Sequence, residues 1–249
     1  MFNKRLKSCF SVVIALSLVL INISVVKAGI ASSAYIQHNI GAYTYYDRAV
    51  VHTSSGTAWG TTEIYTSGYT NVPVGYMGAS AQLINSSGAI VMSTTFKFNT
   101  TSTSALAVST GTHSSSTSYT STGFTTYNNG SGYTTYITTT TPSLSLSSSL
   151  RAATLEAPAV ALAENENGQT YGSAFVGAIT GEMPDLVKAV TTDGKVGYLN
   201  VKDLLLDTPA TPEEAIALSA YSEANSIIPV YAEDGTTVVG AFKLVTNVE

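Results

Sequence analysis

Cysteine is nearly missing. The 249 residues hold only Cys9, which precedes an apolar run near the N-terminus. Residues 29–249 therefore contain none, which excludes disulfide staples, thiol catalysis and thiolate metal sites there and leaves burial to hold the fold. Charge is just as sparse in one half. Residues 29–148 carry two acids, Asp47 and Glu63, and two bases, Arg48 and Lys97, for a net of zero. No basic patch is present, which argues against nucleic acid and anionic membrane surfaces as partners. Beyond residue 28 no apolar run is long enough for a bilayer span. The chain also lacks H-E-x-x-H, G-x-S-x-G, a phosphate-cradling P-loop and G-x-G-x-x-G after a strand. "ENENG" (164–168) lacks the alternating aspartates and distant glutamate of an EF-hand and reads as a solvated turn. No metal and no cofactor is expected.

The N-terminus is sorting chemistry. Lys4, Arg5 and Lys7 precede "SVVIALSLVLINISVV" (11–26), and Val26-Lys27-Ala28 offers the small residues of a signal-peptidase site. Residues 1–28 thus read as a signal peptide, and the product as secreted, extracellular or held at the cell surface, with no stable transmembrane anchoring after cleavage. Residues 149–249 contrast with the neutral half: 14 acids and five bases give −9. The break near 148 suggests a Tyr/Thr/Ser-rich β-domain over 29–148, a linker over 149–168 and an acidic α+β domain over 169–249.

The expected fold is mainly β: an N-terminal antiparallel β-sandwich or barrel, then an antiparallel sheet with one helix. In "IVMSTTFKFN" (90–99), Ile90, Met92, Phe96 and Phe98 alternate with polar residues, the period of a half-buried strand. "AQLI" and the turn "NSSG" (85–88) before it complete a hairpin. "AYTYYDRAVVH" (42–52) and "GTTEIYT" (60–66) supply β-branched and aromatic residues. The low-charge stretch 118–143 splits into "YTSTGFTTY" and "YTTYITTTT" around the loop "NNGSG", a surface hairpin with Tyr133 and Ile137 on one face and Tyr136 on the other. The flanking 101–117 reads as a mobile loop or sheet edge. In the second half, Thr211, Pro212 and Glu214 form an N-terminal helix signature, with Ala217, Leu218, Tyr221 and Ala224 on one face. Hairpins turning at Asp193-Gly194 and Asp234-Gly235 flank that helix.

In "VPVGYMGASAQLINSSGAIV", "NGQTYGS", "PDLVKAVTTDGKVGYLNVKDL", "TPEEAIALSAY" and "IPVYAEDGTTVVGAF", the chain resembles uncharacterised exported proteins of Gram-positive bacteria, a likeness that implies no known activity. "GKVGYLNVKDL" alone is similar to the closing strand of bacterial SH3-like wall-binding modules.

Candidate chemistry lies in the neutral half. Eleven of the 15 tyrosines fall there, together with Trp59, and exposed rings with polar tips suit sugars and protein partners. Trp59, Tyr45, Tyr133 and Tyr136 are the expected ligand-binding residues. Tyr45 and Tyr46 must point to opposite sides of a strand. The leading expectation is a non-catalytic secreted protein that binds a glycan, cell-wall or extracellular protein surface. One alternative is a secreted hydrolase using Asp47, His52 or Glu63; the sequence supports neither a His52–Asp47 pairing nor one that brings His38 in across two strands. The other is a pore-forming, toxin-like protein in which 101–141 rearranges into a barrel hairpin.

Overall fold

The computed structural model describes residues 28–146, 162–205, 209–224 and 226–245. The signal-peptide reading, apart from Ala28, and residues 149–161 of the expected linker fall outside them.

The protein is mainly β, as its alternating patterns predict. The first half forms β1 (Gly29–Ser32), β2 (Ile36–Ile40), β3 (Tyr43–Ser54), β4 (Thr57–Thr66), β5 (Met77–Asn85), β6 (Ile90–Ser93), β7 (Lys97–Phe98), β8 (Ala105–Ser109), β9 (Ser118–Asn128), β10 (Tyr133–Ile137) and β11 (Leu144–Ser145). The second adds β12 (Ala163–Glu164), β13 (Thr170–Gly172), α1 (Phe175–Thr180), β14 (Leu186–Val190), β15 (Val196–Asn200), α2 (Val201–Leu204), α3 (Pro212–Ala224), β16 (Ile227–Tyr231) and β17 (Val238–Lys243). Two sheets result. A five-stranded sheet runs β1-β3-β4-β8 with β2 also on β3, and a twelve-stranded one runs β10-β9-β5-β6-β14-β15-β16-β17 with short strands alongside.

The β3–β4 hairpin organises the first sheet. Its two-residue turn places Ser55 and Gly56 at φ 52° and 78°, the positive angles that match the twist of paired strands. Alternation then sends Tyr45, Asp47, Ala49, Val51 and Thr53 inward, where all are buried, and Tyr46, Arg48, Val50 and His52 outward. The inner face meets β5 and β9 at very close range. A side chain on Gly123 would strike Thr62 and the Ser80 carbonyl, and one on Gly60 would strike Ser121. Glycine is required at both positions by this approach.

The Thr-rich stretch is a hairpin of β9 and β10, and Tyr133 and Ile137 join one core cluster while Tyr136 joins another, as alternation predicts. Its first strand is not a surface. Nearly every β9 residue is buried, because β9 is central, with β5 on one side and β10 and β11 on the other. Two of its hydroxyls are paired to carbonyls inside: Ser121 Oγ donates to that of Gln82 (2.9 Å) and Thr122 Oγ1 to that of Thr138 (3.0 Å). Hydrogen bonding offsets the desolvation that would otherwise keep such residues outside. Within 101–117, β8 is the edge of the first sheet.

Three expectations change. Residues 90–99 are two strands, and a bulge between Leu83 and Ile84 turns Met92 to the opposite side from Ile90, Phe96 and Phe98. α3 starts where predicted, with the Glu214 amide donating to Thr211 Oγ1 at 3.2 Å. Its inward residues, however, are Ala215, Ile216 and Ser219, while Tyr221 is exposed. Apolar residues occupy several sides of this helix, so periodicity selects no face; Ser219 is drawn in by donating to the Phe96 carbonyl at 2.7 Å. Two short helices, α1 and α2, accompany it.

The core continues across the composition break. Ile84, Phe96 and Phe124 share one cluster with Val187, Leu199 and Phe242. Ile90 pairs with Ala189 in the parallel contact of β6 and β14, and Thr94 bridges Val245.

Candidate functional site

The outer face of the first sheet carries a two-residue-wide row fixed by register. Tyr46 lies opposite Tyr65, Arg48 opposite Glu63, Val50 opposite Thr61 and His52 opposite Trp59. Such directly paired positions put side chains in contact. The His52 and Trp59 rings are parallel within 4°, with centroids 4.9 Å apart. Arg48 Nε donates to Glu63 Oε2 at 2.8 Å, and its guanidinium carbon sits 4.6 Å from the centre of the Tyr35 ring. Val50 and Thr61 form the floor, 2% and 5% exposed.

At one end this row opens into a cavity of about 500 Å³ walled by Tyr35, Tyr46, Tyr65 and Tyr69. Tyr35 and Tyr65 meet edge to face at 6.2 Å. Burial, reinforced by Glu63, raises the Tyr65 pKa above its usual value. Tyr69 closes the turn Ser67–Tyr69 with φ 54°, following Gly68 at φ 61°. A bulky residue in the left-handed region costs about 1–3 kcal/mol and persists only where the surroundings impose it. The strained residue is also 80% exposed, so the strain presents a ring to solvent rather than filling the core.

A second cluster lies between the sheets. Asp47 is fully buried, and its Oδ2 accepts from Thr125 Oγ1 at 2.6 Å and from Tyr127 OH at 2.7 Å. His38 Nε2 lies 3.0 Å from the same oxygen, at ion-pair distance but off the line of a hydrogen bond. Burial, and after it Asp47, pushes the Tyr127 pKa well up. The His38 ring rests on Tyr136 with centroids 4.0 Å apart. Both rings line a cleft of about 350 Å³ with Phe124, Ile137 and Met183 among its apolar walls.

Of the four residues expected to bind ligand, Trp59 lies on the outer face and Tyr136 on the cleft. Tyr45 and Tyr133 are corrections. Tyr45 is fully buried against Tyr127, ring centroids 4.3 Å apart, and burial raises its pKa. Tyr133 is 8% exposed and donates to the Gly75 carbonyl at 2.6 Å, with its pKa pushed up to about 12 by burial. Neither ring is available to a surface ligand. Asp47, His52 and Glu63 do not converge: Asp47 faces the sheet interface and the other two face out. The histidine nearest Asp47 is His38, 3.0 Å away across β2 and β3, beside its hydrogen-bond donors Thr125 and Tyr127.

The residues missed are Tyr35, Tyr46, Tyr65 and Tyr69. For Tyr46 and Tyr65 the signal was present, since they share the alternation phase of Arg48 and Glu63. The turn that displays Tyr69 has no such signal. Among the described residues no three His, Cys, Asp or Glu are grouped to hold a metal ion, and no helix is long and apolar enough to cross a membrane. In comparisons with protein-family models, curated proteins and solved structures, the chain matched none.

Proposed function

We propose that this is an exported, non-catalytic binding protein that grips a glycan, as in a cell wall, through the outer face of its first sheet. The observation carrying this reading is the four-tyrosine cavity with Tyr69 held in a strained, exposed conformation. Phenol rings give apolar faces for the carbon side of a sugar ring, and their hydroxyls give donors and acceptors at its rim. Co-sedimentation with purified Gram-positive cell wall and insoluble polysaccharides tests it. The protein should pellet and be released by soluble sugar, and Tyr69→Ala should abolish pelleting at unchanged Tm. A protein that stays in the supernatant with every polymer refutes the reading.

The His38–Asp47 contact beside the apolar cleft favours one second reading, a hydrolase in which His38 is the general base next to the Asp47 carboxylate. Turnover of an ester or glycoside panel, lost in His38→Gln with the fold kept, would establish it. No turnover across the panel removes it.

A further inference from the structure

We infer that the glycan is an extended, uncharged chain lying along β4 from the tyrosine cavity to Trp59, an inference that rests on the glycan reading above. The row sets the length. Trp59, Thr61, Glu63 and Tyr65 all face outward on one strand. At about 3.3 Å per residue, the six steps from Trp59 to Tyr65 span about 20 Å. A single sugar in the cavity leaves Trp59 untouched, and only a chain of several units reaches both ends.

The chemistry of the row selects the ligand. Its ends are aromatic and its middle is an ion pair whose two charges cancel, Arg48 with Glu63 at 2.8 Å. The surrounding residues 29–148 have two acids and two bases, so no local net charge favours a charged polymer. A folded protein partner is met by the reverse pattern, an apolar centre with charges at the rim. Apolar ends around a hydrogen-bonding middle suit a polymer whose every unit shows both a carbon face and hydroxyls. The floor of Val50 and Thr61 is already sealed, so the chain lies on the row rather than entering it.

Two contact points joined by one chain make affinity depend on length, because the second contact becomes intramolecular once the first has formed. The test titrates the purified protein with β-1,4-linked N-acetylglucosamine and glucose oligomers of two to six units. For the series that binds, Kd should fall by about tenfold or more between the dimer and the longest oligomers. Trp59→Ala should erase that gain and leave dimer affinity unchanged, whereas Tyr69→Ala should weaken every length. Trp59 is the sole tryptophan, so its emission in the unaltered protein should shift with the hexamer and not with the dimer, a readout independent of how the variants fold. Equal affinity at all lengths with an unmoved Trp59 signal overturns the extended chain and leaves the cavity reading standing. Binding of no oligomer, together with no pelleting by any polysaccharide, overturns both.

Discussion

Truncating Asp47 to alanine should be among the most damaging single changes in this protein. The side chain is fully buried, and one oxygen accepts two short hydrogen bonds, 2.6 Å from Thr125 and 2.7 Å from Tyr127. Alanine leaves both hydroxyls buried without an acceptor, and each such donor costs about 1–3 kcal/mol. The two together give about 2–6 kcal/mol. At about 2–4 °C per kcal/mol for a chain of this size, Tm should fall by about 10 °C. Urea unfolding followed by the single tryptophan and by circular dichroism gives the free energy. Asp47→Asn keeps the shape and one acceptor and should lose less. The triple change Asp47→Ala, Thr125→Val, Tyr127→Phe removes the orphaned donors and should recover a large part of the loss. The reasoning fails if Asp47→Ala costs under about 1 kcal/mol, or if the triple variant is no more stable than the single one.

The other predictions concern single contacts. Tyr133→Phe leaves the Gly75 carbonyl without its 2.6 Å donor and should cost about 1–3 kcal/mol in urea unfolding, with no change in polysaccharide pelleting. Gly123→Ala drives a methyl into Thr62 and the Ser80 carbonyl, so a loss of about 1–3 kcal/mol is expected; a neutral result would mean that the sheets part easily. His52 and His113 have pKa values lowered from 6.5, chiefly by burial, so the folded protein favours their neutral forms. Between those lowered values and 6.5 the unfolded chain binds more protons. Stability is therefore full above 6.5 and declines as pH falls through that window. Urea midpoints at pH 7.5 and 5 should show the decline, and His52→Gln with His113→Gln should flatten it. Because His52 stacks on Trp59, the emission should also titrate with a midpoint below 6.5 and lose that transition in His52→Gln.

β3, β4 and two hairpin turns were legible because each carried its own signal: β-branched and aromatic residues in the strands, and Asp-Gly at the turns. What escaped was set by distant neighbours. β9 reads as a solvent face because threonine is polar, yet its position between β5 and β10 buries it, and its hydroxyls bond carbonyls that only the fold brings near. The helix shows the same limit from the other direction. Its start is written locally in Thr211 and Glu214, whereas its inward face depends on where the Phe96 carbonyl waits for Ser219. The candidate site divides likewise. Trp59 was legible as a candidate binding ring, next to the strand expected over 60–66. Choosing Tyr46 over Tyr45 required the phase of β3, and the two charges beside them point to opposite phases.

That ambiguity has a physical resolution. Asp47 and Arg48 are adjacent opposite charges, but neighbours on a strand face opposite sides and do not meet. Each takes a partner across a strand or across the sheets instead. Arg48 finds Glu63 on the outer face at 2.8 Å, and Asp47 finds Thr125 and Tyr127 in the interior. Asp47, Arg48 and Glu63 are thus committed, one to holding the sheets together and two to the centre of the outer row. With so few charges in this half, each of these three is held at a position where its loss should be felt, Asp47 in stability and the Arg48–Glu63 pair in the binding proposed for the outer face.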